Sequence, residues 1–404
     1  MIPIAEAFRL IKETVVPLGT EKVPLANAVG RVLASDVASD VDSPPHDKSV
    51  MDGYAVIASD IQAGKTKLKI VETIVAGSWP EKPIANGQAS RIMTGAPLPA
   101  GADAVVMIEM TESTGDEEVE IKLDSLESDK HVMRKASSLA KGKTVFVAGH
   151  QIRPTDIGLL AEVGAHEVSV YMQPKISVLP TGDELVDSSE VPGLGQIRNS
   201  NGPMLVAMAQ AIGLSVTDLG IGRDNESDLQ AAVERGLQSD VLILSGGVSA
   251  GMLDLVPGIL QKLGVEQVFH KVAVKPGKPL WFGVLKRGDS QTYVFGLPGN
   301  PVSSLVGFRI FVRTAINMLM NKPDPKPQSV KAELAFAHDV RGNRPTYWPG
   351  RWVASPTETR KVEPVIWQGS SDLRALGVAE VLILLSCEPS HHPAGEIVDV
   401  VELI

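Results

Sequence analysis

The sequence predicts an α/β plus β fold: a central, doubly wound, mainly parallel sheet lobe, a small β lobe inserted ahead of it, and a second β unit at the C-terminus. Three observations predict it. Strand and helix patterns alternate from about residue 174 to 320, as in a parallel sheet with helices on both faces. Short strand patterns separated by Gly and Pro turns fill 66–123. Beyond a Pro-rich linker at 321–329 the chain is again mainly strand, with alternation in Glu380–Ser386 and Glu396–Leu403.

Each element has a local reason. Residues 3–16 read as a helix: Pro3 suits its first turn, and Ile4, Phe8 and Ile11 share one face. Residues 41–49 form a turn-rich linker. Strands are expected at Lys67–Val75, Gln88–Thr94, Ala104–Glu109 and Val119–Leu123, then a helix over 155–163 with Thr155 as N-cap and Gly164 past its end. Lys175–Leu179 is a strand, and Asn201 caps a helix carrying Met204, Leu205, Met208 and Ile212. Leu214–Leu219 is a strand, and Asp224 or Asn225 caps the next helix. Asp240–Leu244 is a buried strand, followed by a Gly-rich loop and a helix ending near Gly264. Tyr293–Gly296 is the last strand of the series, and Asn300-Pro301 opens a helix running to about Met320.

Composition narrows the function. At roughly 150 residues per domain, 404 residues suggest about two to four domains. Apolar residues at 44% and charged residues at 21% fit a globular protein. With 38 Lys and Arg against 48 Asp and Glu the net charge is −10, and aromatics are only 4%, so a nucleic-acid face is not expected. No apolar run approaches the ~20 residues that cross a bilayer, so no membrane span is expected. The start of the chain has an amphipathic pattern, unlike a signal peptide. The single cysteine, Cys387, supports no disulfide framework and no thiolate metal site, which fits a cytoplasmic location.

Several motif echoes fail on inspection. Gly64-Lys65-Thr66 and Gly142-Lys143-Thr144 lack the upstream Gly of a P-loop. Gly193-Leu-Gly195 has Arg198 where a dinucleotide fingerprint needs a third Gly. The eight histidines show no metal-ligand spacing. Gly247-Val-Ser249-Ala-Gly251 matches a nucleophile elbow, but no His-Gly-Gly-Gly stretch precedes it.

Four loops carry the chemistry. Thr181-Gly-Asp-Glu184, Ser245 to Gly251 and Gly296 to Ser303 each follow a strand, and ligands bind at the carboxyl ends of parallel strands. Gly246, Gly247 and Gly251 let backbone N–H groups approach a phosphate. The helix start at Asn300-Pro301 favours an anion. Lys271, Lys275 and Lys278 supply cations that an acidic protein needs for an anionic ligand. Asp183, Glu184 and Asp254 offer hard oxygens for Mg²⁺. Against these stand plainer readings: a Gly-rich turn, a helix cap at Asp224, and a first-turn acid at Asp254.

Pro180-Thr-Gly-Asp-Glu-Leu185, Ser245-Gly-Gly-Val-Ser249, Lys275-Pro-Gly-Lys-Pro279 and Leu297-Pro-Gly-Asn-Pro-Val-Ser303 resemble the molybdopterin molybdenumtransferases, the MoeA type that also occurs as the gephyrin E domain. Met51-Asp-Gly-Tyr-Ala-Val56 and Arg91-Ile-Met-Thr-Gly-Ala-Pro97 match as well, so the likeness spans nearly the whole chain. The resemblance implies four lobes: an N-terminal linker lobe (1–45 and 135–172), an inserted β lobe (46–134), the α/β molybdopterin-binding lobe (173–322) and a C-terminal β-barrel-like lobe (323–404). It implies a Mg²⁺-dependent transferase that takes molybdate and adenylylated molybdopterin and yields molybdenum cofactor and AMP. It also implies a homodimer in which Asp52 and Thr94 reach into the partner's site, with other enzymes of cofactor assembly as possible partners.

By the resemblance, Asp183, Glu184 and Asp254 act at the metal, and Glu184, Asp224 and Asp254 are candidate acids or bases. Gly246, Gly247, Ser249, Asn300 and Ser303 bind phosphate or pterin, with Thr181, Gly182, Pro298 and Pro301 beside them. Lys271, Lys275 and Lys278 stabilise the anionic transition state and help hold molybdate. In the last lobe Ser370 of Gln368-Gly-Ser and an arginine face molybdate; that arginine is Arg344 or Arg351, of which Arg351 is carried forward. Ser137-Ser138 stands where the family commonly has an acidic pair, which motivates a rival reading as a catalytically weak scaffold or cofactor-binding protein.

Overall fold

The structure, a computed structural model, describes residues 1–62, 66–113, 115–248, 255–288, 290–354 and 359–403. The chain forms two compact units, one of residues 1–21 with 170–404 and one of residues 22–169.

The larger unit begins with helix α1 (Ile4–Thr14), whose Ala7 and Ile11 are buried as its apolar spacing predicts. Its main sheet is built from β1 (Ile176–Pro180), β2 (Val216–Asp218), β3 (Val241–Ser245), β4 (Glu266–His270), β5 (Trp281–Arg287) and β6 (Ser290–Leu297). The strand order is β2-β1-β3-β6-β5-β4. The first four strands are parallel, and β5 and β4 add an antiparallel edge. Alternate side chains bury on opposite faces: Ile176, Val241, Ile243 and Phe295 in one core, Leu179, Leu242, Leu244 and Val294 in the other. Helices α2 (Asn201–Gln210), α3 (Glu226–Gly236) and α4 (Leu255–Lys262) link the parallel strands.

One local expectation needs correction, one pair of alternatives resolves, and two strands are added. Asn201 is the first helical residue of α2 and not its cap, because its side chain turns to other partners described below. Asn225 caps α3, with Oδ1 accepting from the amides of Ser227 and Asp228, while Asp224 lies outside the helix. Strands β4 and β5, which flank the lysine loop, are additions to the elements expected from the sequence.

Helix α5 runs over Pro301–Leu319 and is long and apolar enough to cross a membrane by length and composition. Its apolar window is 89% buried inside the protein, so it is a core helix. The chain then closes a five-stranded barrel from β7 (Val330–Leu334), β8 (Thr346–Val353), β9 (Lys361–Pro364), β10 (Val381–Leu385) and β11 (Ile397–Glu402), in the order β7-β9-β8-β10-β11. Tyr347, Leu382 and Val401 of the barrel pack into the same core as α5.

The smaller unit centres on a second six-stranded sheet, with strands ordered Ala104–Met107, Gly53–Val56, Gln88–Ile92, Thr66–Ile74, Glu118–Ile121 and Thr111–Ser113. All neighbours are antiparallel except Thr66–Ile74 with Gln88–Ile92. Tyr54, Val56 and Val106 bury on one face, and Ala55, Ile92 and Val105 on the other.

Candidate active site

The ends of β1, β3 and β6 are tied together by backbone bonds. Thr181 N–H donates to Ser245 O at 2.8 Å, Gly246 N–H to Leu297 O at 3.0 Å, and Gly182 N–H to Gly222 O at 3.0 Å. Gly246 is required here: its φ is +98° and a Cβ would lie 2.4 Å from Thr181 O. Gly247 also has positive φ, with its Cβ position 3.0 Å from Thr181 Oγ1. The expectation that Gly246 offers its N–H to an anion needs correction, since Leu297 already takes it. Ser249 and Asp254 lie outside the described residues.

The acid loop after β1 is locked by reciprocal contacts. Asp183 Oδ1 accepts from the Asp224 amide at 3.0 Å, and Asp224 Oδ2 accepts from the Asp183 amide at 3.3 Å. Arg223, which the sequence reading passed over, donates through Nη1 to Leu185 O at 2.8 Å and Asp183 O at 3.3 Å. One arginine thus clamps the loop that presents Glu184. Its signal in the sequence was only its place next to Asp224.

Two cavities meet at Asn300. The first, about 680 Å³, is lined by Lys275, Lys278, Pro298, Asn300, Ser303 and Ser370, together with Arg341, Arg344, Trp348 and Trp367. Lys275 Nζ donates to Arg341 O at 2.9 Å, and its backbone N–H and C=O bond Pro345 and Tyr347, so the lysine loop is stitched to the start of β8. Among the described residues Lys278 is exposed and its ammonium has no protein partner. Arg344 Nη1 donates to Val274 O at 2.8 Å, which holds the guanidinium on the cavity wall.

Arg351 is not brought to this cavity. It sits on the outer face of β8, paired with Glu363, and lines a separate depression beside Gly377 and Glu380. Strand alternation explains the correction: Gly350 is buried and its neighbour Arg351 points to solvent. Arg344 and Arg341, in the loop before β8, are the arginines that reach the lysines. Lys271 lines neither cavity; it has φ +71° at the end of β4, where its carbonyl accepts from Ile2 N–H.

The second cavity, about 420 Å³, lies at the strand ends among Thr181, Glu184, Asn201, Ser245, Asn300 and Pro301. The helix start between the two cavities is less free than the sequence suggests. Pro301 has no N–H, Val302 N–H donates to Ser370 O at 3.0 Å, and Asn300 Nδ2 donates to Ser370 Oγ at 2.9 Å instead of capping α5. The Gln368–Ser370 turn therefore covers part of the anion site that the helix would offer alone.

In the smaller unit Asp52 and Thr94 are brought together. Asp52 Oδ1 accepts from the Thr94 amide at 2.6 Å and from its hydroxyl at 2.8 Å. These bonds, the amide first, hold the Asp52 carboxyl below the usual carboxylate range. Gly53 pairs with Ile92 across an antiparallel ladder, and this register sets the two residues at one end of it.

Comparisons with known proteins agree with this architecture. Residues 2–164 match the family model for the MoeA N-terminal region (domain I and II), and residues 177–318 match the probable molybdopterin binding domain. A molybdopterin molybdenumtransferase of Staphylococcus aureus is 33% identical over 99% of this chain and 95% of its own length. Its counterpart in Haemophilus influenzae is 34% identical over 97% of this chain and 96% of its own. A crystal structure of the molybdopterin biosynthesis MoeA protein of Pyrococcus horikoshii superposes with a TM-score of 0.84 at 28% identity, covering 100% of this chain and 99% of that one. With its fold, its loop set and relatives aligned end to end, the chain belongs to the molybdopterin molybdenumtransferase family.

Proposed function

We propose that this protein is a transferase that inserts molybdenum from molybdate into adenylylated molybdopterin, with release of AMP. The observation that supports the reading best is the pair of cavities meeting at Asn300, one cationic and one formed by strand-end loops. A tetrahedral dianion needs several donors in a protein of net charge −10, and Lys278, Arg344 and Ser370 converge on the first cavity. The Thr181, Ser245 and Asn300 loops of the second lie at strand ends within residues 177–318, the stretch matched by the family model for a probable molybdopterin binding domain. Preset charges of this kind act mainly by positioning and by stabilising charge that develops at the cleaved phosphoanhydride.

The acid loop fits Mg²⁺. Asp183 keeps Oδ2 while Oδ1 holds the Asp224 amide, and among the described residues the Glu184 carboxylate makes no protein hydrogen bond. Mg²⁺ is usually held by one or two carboxylates, substrate phosphates and water, so a dedicated protein cage is not required. When bound, the ion would offset phosphate charge. Asp183 and Glu184 would hold it, Arg223 would keep their loop in place, and Lys278 would hold the oxyanion.

The reading extends to a homodimer in which the Asp52–Thr94 pair completes the site of a second copy. Mixing Asp52→Ala with Glu184→Ala protein tests this, since one intact site forms in a mixed dimer and activity should return to about a quarter to a half of normal. No recovery would count against a shared site.

The central test is AMP release from adenylylated molybdopterin with Mg²⁺, with and without molybdate. Molybdate-dependent release is expected. Tight nucleotide binding without release would favour the scaffold reading.

A further inference from the structure

Helix α5 starts at the candidate site with Pro301 and carries a cluster of cations towards its other end. Arg309 and Arg313 lie about one turn apart on it, Arg309 within a π-helical stretch at Phe308–Val312. Past the helix Asn321 has a φ of +51°, which turns the chain back so that Lys322 N–H donates to Asn317 O at 2.9 Å. The Arg313 charge reaches both of the others: after burial, it is what lowers Arg309, to about 10, and Lys322. None of the three lines either cavity at Asn300.

Buried arginines and lysines are nearly always paired. These are not. Arg309 is only 7% exposed, and its Nε donates to Glu402 O at 2.7 Å, at the end of β11. Among the described residues its two Nη nitrogens have no hydrogen-bond partner, and neither is sealed away from solvent. Arg313 and Lys322 are half-buried, and among the described residues their side chains make no hydrogen bond or ion pair. The Glu402 carboxylate favours the charged form of Arg309 but forms no ion pair with it. A helix C-terminus favours cations only in its last turn, which accounts for Lys322 and not for Arg309 or Arg313. Three positive charges against the single negative charge of Glu402 leave an excess that a dianion offsets.

We propose that Arg309, Arg313 and Lys322 form a binding site for a tetrahedral oxyanion of the sulfate, phosphate or molybdate class, separate from the lysine cavity. The two guanidinium groups donate to the oxyanion as forks, and Lys322 adds a point charge. A bound ion ties α5 to the end of β11 and to the segment beyond the helix. The site goes beyond the reaction proposed above and does not rest on it.

Binding to the full-length protein tests it, read by calorimetry and by melting temperature. The probes are sodium sulfate, phosphate and molybdate, against sodium chloride at equal ionic strength. Lys278→Ala protein is the background, so that oxyanion binding in the lysine cavity is weakened. The oxyanions should bind this protein and raise its melting temperature, and chloride should not. Adding Arg313→Gln should weaken binding about tenfold, the scale of one lost charge-assisted contact. Adding Lys322→Gln should weaken it about threefold, the effect of one exposed point charge. Its melting temperature in chloride should stay level or rise, because the removed ammonium has no partner to lose.

The Lys322 variant keeps the test decisive if Arg313→Gln fails to fold. Oxyanion responses equal to the background in both variants would be non-specific and overturn the inference, as would chloride matching the oxyanions. No oxyanion binding, with Arg313→Gln lowering self-association instead, would assign the cations to a carboxylate of a second copy and overturn it too. None of these readouts depends on turnover.

Discussion

The six-stranded sheets of the two units differ in strand direction, and that difference decides where their polar loops collect. In the larger unit β1, β3 and β6 run parallel, so Thr181, Ser245 and Pro298 all emerge at one edge. In the smaller unit most neighbours are antiparallel, so successive loops alternate between edges and a polar pair forms where register allows, as at Asp52 and Thr94. A parallel sheet concentrates chemistry without long-range instruction. An antiparallel sheet needs a specific register for each pair.

The largest expected effect falls on the lysine loop between the antiparallel strands β4 and β5, which shares its cavity with the loop after β6. Lys278→Ala should lower molybdate-dependent AMP release at least ~100-fold, the scale of losing one preset charge at a developing anion. Its side chain is exposed and has no protein partner among the described residues, so thermal stability should hold. A variant with near-normal turnover would remove Lys278 from the oxyanion site.

Glycine substitutions sharpen the contrast between the sheets. Gly246 and Gly95 both have positive φ, but the Cβ of Gly246 would clash with Thr181 O at 2.4 Å whereas that of Gly95 would meet only Ala76 at 3.8 Å. Gly246→Ala should destabilise the larger unit by about 2–3 kcal/mol or more, from a backbone clash added to a strained φ. Gly95→Ala should lose only about 1 kcal/mol, the left-handed penalty alone. Urea midpoints of the two variants measure the difference, and equal losses would mean that close strand approach at Gly246 contributes nothing.

A smaller effect separates two arginines. Arg344→Ala should raise the KM for molybdate about tenfold with little change in nucleotide affinity, as expected for one lost charge-assisted contact. Arg351→Ala should leave both within about twofold, because its partner is Glu363 at an exposed strand face. The reverse result would restore the assignment that the sequence favoured.

Arg351 shows what one-dimensional reading misses. The glycine loops and strand ends were legible because local patterning creates them: buried runs such as Val241–Ser245 followed by Gly246 and Gly247. Arg344 lies in the loop before β8 and Arg351 on the outer face of that strand, and nothing in their spacing reveals which one meets the lysines. Asn201 looked like a helix cap because asparagine often is one. Its real partners are Ser245 and Gly299, 44 and 98 residues away. The uptake of the Gly246 and Val302 amides by Leu297 and Ser370 was equally invisible, since it depends on tertiary contacts.

The smallest effect tests whether the antiparallel sheet presents a preformed pair. The Thr94 amide and hydroxyl stabilise the charged form of Asp52, so its folded pKa lies below the unfolded value of about 3.9. For a depressed carboxylate the linked stability is present above the unfolded pKa and fades as pH falls through the folded one. Thr94→Val removes the hydroxyl but keeps the amide, which is the larger cause, so the Asp52 pKa should rise only part of the way back. Carboxyl-carbon NMR titration reads this directly. An Asp52 pKa at its ordinary value in the unaltered protein would show that the ladder register does not preset the pair, and the contrast between the two sheets would then rest on the parallel edge alone.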